Sequence, residues 1–69
     1  MAVLSRQMVM DLATEMNNLE MTRETISGVV HMLDSMEQAQ EMLEYLRTEK
    51  PTDEQILFRK MEEIIGLEV

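Results

Sequence analysis

The chain has 69 residues, contains no cysteine and carries a formal net charge of −8 at pH 7. A chain this short forms one domain at most, and it has neither disulfides nor cysteine-ligated zinc to stabilise it. The acidic balance disfavours sequence-independent binding to nucleic acid or to an anionic membrane, and it favours a basic partner. No apolar run approaches the ~20 residues that span a bilayer, and the first residues lack the pattern of a signal peptide, so we expect a cytoplasmic location.

The first predicted helix covers about residues 4–17. Its apolar residues recur at intervals that place them on one stripe of a 3.6-residue helix. They are Met8, Val9, Leu12 and Met16. Ser5 is a suitable N-cap, and Asn17-Asn18 suits a helix end because asparagine has poor helix propensity. A short connection over residues 18–22 is therefore expected.

A long central helix is predicted over about residues 22–48, with Thr22 as its N-cap. Its apolar residues are separated by three or four positions throughout, which is the rhythm of a helix that packs along one seam. This central seam consists of Val29, Met32, Met36, Ala39, Leu43 and Leu46. Because such a repeat rotates by ~20° per heptad on an ordinary helix, the apolar face is expected to turn slowly along its length.

The extent of this central helix has an alternative. The apolar pattern also continues from the first segment through Asn17-Asn18, so a single helix over about residues 4–33 is compatible with the sequence. That helix would end at Asp34-Ser35, where two capping-box spacings begin. The central seam passes through Asp34-Ser35 without losing its phase, which favours an unbroken helix over residues 22–48.

A clear helix boundary lies near Pro51, which interrupts any helix that reaches it. Arg47 and Lys50 suit the C-terminus before it, and residues 52–55 have the spacing of a capping box. A third helix is predicted over about residues 53–65.

The third helix presents a wide apolar arc that suits contact with more than one neighbour. Its members are Leu57, Phe58, Met61, Ile64 and Ile65, with Ile56 at the edge. Gly66 is expected to end the helix, and Leu67 is expected to pack against that end.

These elements predict an all-α fold, a single helical domain over residues 1–69 in a small three-helix arrangement with a long central helix. The sequence contains one Phe, one Tyr and no Trp, and helix-forming residues dominate it, which disfavours strands. A small chain without a disulfide or a structural metal buries a limited core, so we also predict a homodimer that uses the remaining apolar surface.

No set of residues has the spacing of a catalytic, cofactor or metal site, so we expect neither an enzyme nor a bound cofactor. His31 has Asp34 nearly one turn later, which allows a pH-sensitive pair, although a surface histidine is the simpler interpretation. Ser27 and Ser35 lack an activating neighbour. The Glu-x-x-His pairs of di-metal helical bundles are missing from the sequence.

Three glutamates are predicted to share the face of the central helix opposite the seam. Glu37, Glu41 and Glu44 follow one another at i, i+4 and i+7. Such a stripe suits recognition of a cationic partner, and the simpler interpretation is a solvated face that keeps the protein soluble.

Methionine is unusually frequent, with nine residues, and its flexible thioether suits both irregular cores and adaptable binding surfaces. The positions on predicted core stripes are Met8, Met16, Met32, Met36 and Met61. Those at or beyond the stripe edges are Met10, Met21 and Met42, which together with Tyr45 are the candidates for an exposed partner surface.

The predicted function is that of a non-enzymatic regulatory or adaptor protein that acts through helix-mediated contacts with a protein partner. One alternative is an acidic inhibitor of the phage or mobile-element type, which mimics nucleic acid and blocks a basic channel. A second alternative is a small helical DNA-binding regulator. It would bind phosphate through the cations near the connection between the last two helices. The neighbouring acidic residues cancel the positive field of these cations, which disfavours this alternative. These cations are Arg47, Lys50, Arg59 and Lys60.

Overall fold

The computed structural model describes residues 4–66, over which the chain forms four α-helices and no strand. The helices are α1 (Arg6–Asn18), α2 (Arg23–Met32), α3 (Met36–Glu49) and α4 (Glu54–Ile65). The all-α prediction is confirmed, whereas the three-helix arrangement with a long central helix is wrong. No helix in this part of the chain is long and apolar enough to cross a membrane.

The first break separates α1 from α2 where the asparagine pair predicted it. Glu20 adopts a left-handed backbone conformation with φ 63° in the connection. Thr22 is the N-cap of α2, and its Oγ1 accepts a hydrogen bond from the Thr25 N–H over 3.2 Å. Ser5 caps α1 in the same way, so both predicted N-caps are confirmed. The alternative helix over residues 4–33 is therefore wrong.

The second break lies at residues 33–35 and divides the predicted central helix. Leu33 is buried and has an extended backbone, and Ser35 is the N-cap of α3. The Ser35 Oγ accepts from the Gln38 N–H over 3.2 Å, while Gln38 Oε1 accepts from the Asp34 N–H over 2.8 Å. These bonds satisfy backbone donors that a continuous helix would pair internally.

The dimensions of the fold are incompatible with an unbroken central helix. An unbroken helix over residues 22–48 would be about 40 Å long, which exceeds the largest dimension of 30 Å. The break folds α3 back into the bundle, where it shares the core with the other helices.

The last connection follows the sequence signals closely. Lys50 is left-handed with φ 46°, and Pro51 after it is buried. The N-cap of α4 is Asp53, which accepts from the Gln55 N–H over 2.8 Å, so the cap lies one residue later than the predicted Thr52. Gly66 ends α4 with φ 75°, as predicted. The predicted contact of Leu67 lies outside the described residues.

The four helices form a ring in which α1 and α4 each contact both α2 and α3. Two contacts give the relative direction of α1 and α3. Met36 Sδ lies 3.4 Å from the backbone nitrogen of Ser5, near the start of both helices. Arg47 Nε lies 3.4 Å from Glu15 Oε2, near the end of both. The helices α1 and α3 therefore run side by side in the same direction.

The core is built from side chains of all four helices and their connections. Its members are Leu4, Met8, Leu12, Met16, Met21, Val29, Leu33, Ala39, Met42, Leu43, Leu46, Leu57 and Met61. Four residues of the central seam are among them. The other two, Met32 and Met36, are each 36% exposed because they flank the break and leave the core there. Their predicted core positions are corrected accordingly.

Candidate partner-binding surface

The helix α3 presents three carboxylates on the side opposite its core residues. Glu37, Glu41 and Glu44 are all exposed, while Ala39 and Leu46 are fully buried on the other side. We refer to these three glutamates as the acidic face. Glu37 lies in the first turn of α3, where the helix dipole favours a negative charge. The acidic face thus belongs to one helix that is fixed by its own N-cap.

The acidic face forms no salt bridge within the described part of the chain. The salt bridge found among residues 4–66 joins Arg47 to Glu15. None of the three acidic-face carboxylates has an ion-pair partner there. Like charges at these spacings repel one another mildly, and a cationic partner would relieve that repulsion.

The acidic face lies between two grooves. The α1–α3 groove has a volume of about 590 Å³, and Asp11 of α1 joins the three glutamates along it, with Arg47 as the one cation in its described lining. The α3–α4 groove has a volume of about 540 Å³ and is lined by Glu41 and Glu44 as well as by residues of α4. Two carboxylates therefore border both grooves, so a partner in either groove meets a negative edge.

Tyr45 lies half-buried in the α3–α4 groove. The Lys60 ammonium is 5.4 Å from the centroid of the Tyr45 ring, which is within the range of a cation–π contact. Burial raises the pKa of the Tyr45 hydroxyl, and the negative charges of Glu49 and Glu63 raise it further. Tyr45 is thus kept neutral and provides an aromatic surface with one polar end.

The raised pKa of Tyr45 predicts a measurable titration. Absorbance at the phenolate band should show ionisation of Tyr45 above the ordinary pKa of about 10. The replacement Glu63→Gln should lower that pKa, whereas Glu24→Gln, on α2, should not. Because the folded protein holds this proton more tightly than the unfolded chain, the contribution to stability is complete below about pH 10 and is lost as the pH rises through the folded pKa. A midpoint at or below 10 would contradict the proposed surroundings of the hydroxyl.

Two of the predicted exposed methionines are buried, which corrects the predicted partner surface. Met42 is fully buried, because α3 packs against both α1 and α4 and buries a wider arc than a single seam. Met21 is buried at the α1–α2 connection, where its N–H donates to the Met16 carbonyl over 3.0 Å. Met10 is 56% exposed, as predicted, but it lies on α1.

Sequence reasoning missed Ile56 as a member of this surface. It is 50% exposed on α4 and lines the α3–α4 groove together with Tyr45. Its place at the edge of the apolar arc was a signal, because a residue outside the core stripe of Leu57 and Met61 is free to face a groove.

Three of the remaining sequence candidates have local partners. Arg47 contacts Glu15, and Lys60 lies over Tyr45. His31 is exposed on α2, which agrees with a surface histidine. Its Nδ1 lies 2.8 Å from the carbonyl oxygen of Ser27, one turn earlier, and the alternative pair with Asp34 is not found among residues 4–66.

Neither a metal centre nor a known relative assigns a function to this surface. Within residues 4–66, no group of three or more possible ligands is placed to hold a metal ion. Comparisons with protein families, with curated proteins and with solved structures give no match for this chain. Its function is therefore inferred from the surface of α3 and the two grooves beside it.

Proposed function

We propose that the protein is a non-enzymatic regulatory or adaptor protein that binds a basic surface of another protein through the acidic face of α3. The observation that supports this proposal is the set of three exposed carboxylates without an ion-pair partner among residues 4–66. They lie on a helix whose opposite side is buried in the core, so the spacing of their backbone positions is fixed before binding. A preorganised charged surface loses less entropy on association than a flexible one.

Charge complementarity would give this interaction its specificity and a fast association rate. A partner with lysine or arginine side chains at helical spacing would pair with Glu37, Glu41 and Glu44. A neutral or acidic surface would be rejected by the same charges.

An acidic inhibitor that mimics nucleic acid is the second candidate. It is favoured by the position of Asp11, which extends the negative surface from α3 to α1 across their groove. The two candidates differ in salt dependence, because an inhibitor held in a basic channel relies mainly on charge. A complex that is unchanged at about 0.5 M salt, where screening is strong, would contradict the inhibitor. A DNA-binding regulator is less favoured, because Arg47 pairs with Glu15, and because Arg59 and Lys60 share their groove with four glutamates that repel phosphate.

The acidic face can be tested by capturing the partner from the organism that encodes the chain and identifying it by mass spectrometry. The affinity of the purified complex is then measured for the triple variant Glu37→Gln, Glu41→Gln, Glu44→Gln. We expect binding to weaken by about 10-fold to 100-fold, from three charge pairs of roughly 0.5–1 kcal/mol each.

A matched control removes the same amount of charge elsewhere. The triple variant Glu20→Gln, Glu24→Gln, Glu62→Gln changes three exposed glutamates outside α3. It should bind within about threefold of the natural chain, since only long-range attraction is lost. Equal losses in the two variants would show that net charge, and not the acidic face, drives binding.

The predicted homodimer remains part of this proposal. Four central seam residues are already buried within one chain, so they do not form the dimer surface. The exposed Met32 and Met36, on either side of the α2–α3 connection, are the apolar residues that we assign to it. A cytoplasmic location also remains a prediction.

A further inference from the structure

We propose that the α3–α4 groove binds one amphipathic helix of a partner protein, whose apolar stripe contacts Tyr45 and Ile56 and whose basic edge lies along α3. The inference rests on the proposed function. Beyond that function, it names the groove that buries the partner's apolar residues and the side of the groove that its basic residues face.

The apolar part of the groove is formed by one residue from each helix. Ile56 is 50% exposed, although its neighbour Leu57 is fully buried. A β-branched isoleucine on a helix is restricted to few rotamers, so its exposed methyl groups are held in place before binding. Tyr45 is half-buried, lines the same groove and has the Lys60 ammonium over its ring. These two side chains provide the apolar surface of the groove.

The two edges of the groove differ in charge. On the α3 edge, the lining residues are acidic and include no cation: Glu41, Glu44 and Glu49. On the α4 edge, Arg59 and Lys60 outnumber Glu63. A helix with lysine or arginine along one edge and an acidic residue along the other matches both sides at once. This complementarity identifies the occupant as an amphipathic helix with unlike edges.

The α1–α3 groove does not provide the same apolar contact. Its apolar lining residues, Met8 and Leu43, are each only 7% exposed. A partner there would meet charge with little apolar surface to bury. The α3–α4 groove combines both, which is the arrangement of helix-in-groove recognition.

A synthetic 14-residue helical peptide, fixed by a side-chain crosslink, provides the probe. It carries leucine at i, i+4 and i+7, lysine along one edge and glutamate along the other. We expect saturable binding to the full chain below about 1 mM, with amide NMR shifts concentrated on Tyr45, Ile56 and their neighbours. Peptides with an alanine stripe, or with glutamate on both edges, should bind at least about tenfold more weakly.

The decisive variant is Ile56→Ala, with Met10→Ala as its control. Both side chains are exposed to similar extents, 50% and 56%, but Met10 lies on α1 away from the groove. Ile56→Ala should weaken binding of the lysine-glutamate peptide about tenfold, and Met10→Ala should not change it. Alanine is a better helix former than isoleucine, so the variant is expected to fold.

The outcomes separate this inference from the proposed function. Unchanged binding in Ile56→Ala, absence of saturable binding, or NMR shifts on α1 would each overturn the groove as the docking site. If Ile56→Ala leaves binding intact while the triple variant Glu37→Gln, Glu41→Gln, Glu44→Gln abolishes it, the acidic face is supported and the groove is overturned as the docking site. If Ile56→Ala weakens binding and that triple variant does not, the apolar contact in the groove is supported, and both the acidic face and the proposed basic edge along α3 are contradicted.

Discussion

Replacing Leu46 by alanine is expected to lower the free energy of unfolding by about 2–5 kcal/mol. The replacement Met36→Ala should cost less, about 1 kcal/mol, because this side chain is only partly buried. Both residues belong to the central seam, but Leu46 is fully buried and Met36 is 36% exposed. Truncation of Leu46 leaves a cavity in a small domain, whose total stability is on the order of 5 kcal/mol. Urea unfolding followed by circular dichroism should therefore show a strongly lowered midpoint for the Leu46→Ala chain, with about 0–3 kcal/mol of stability left.

The comparison of these two variants also tests the break at residues 33–35. In an unbroken central helix with a continuous seam, Met36 would be packed as well as Leu46, and the two replacements would cost similar amounts. Similar losses, measured at a protein concentration where the chain is monomeric, would therefore contradict the divided helix. Repeating the unfolding of the natural chain at two protein concentrations tests the homodimer, because the midpoint of a dimer rises with concentration.

The helix ends whose signals are local could be predicted from the sequence. Ser5, Thr22 and Gly66 act as predicted, because capping depends on a side chain or a backbone angle within a few residues. The break at Asp34-Ser35 could not be decided in the same way. A cap contributes only about 1 kcal/mol, and the seam keeps its phase across the break. Packing of α3 beside α1, which residue spacing does not reveal, determines the outcome.

The same distinction applies to the candidate site. The exposure of Glu37, Glu41 and Glu44 could be predicted, because their relative positions depend only on the helical repeat within α3. The burial of Met42 could not be predicted, since the width of the arc that α3 buries depends on how many helices surround it. The role of Ile56 could not be predicted for a related reason. Ile56 lines a groove only because α4 packs beside α3, and that packing is not visible in the sequence.

Hydrogen bonds between α2 and α4 form a polar junction that the sequence pattern does not predict. Thr25 is a buried polar side chain, 7% exposed, and its hydroxyl donates a hydrogen bond to Glu54 Oε2. Thr22 Oγ1 donates to the same oxygen over 3.2 Å. The carboxylate of Glu54 thus lies at the N-terminus of α2 as well as in the first turn of its own helix, and helix dipoles favour a negative charge at both positions. The junction connects residues about thirty positions apart, so no local pattern indicates it.

Replacing Thr25 by valine is expected to lower the free energy of unfolding by about 1–3 kcal/mol. Valine keeps the branched shape of the side chain but cannot donate to the Glu54 carboxylate, which is then left with one hydroxyl donor. Combined with Glu54→Gln in a double-mutant cycle, the replacement should show a coupling of about 1 kcal/mol in urea unfolding. Glu24→Gln is the matched control, because Glu24 is an exposed acid in the first turn of α2. The losses of unfolding free energy from Glu24→Gln and Thr25→Val should simply add. If the losses from Thr25→Val and Glu54→Gln also add, the hydrogen bond between Thr25 and Glu54 is contradicted.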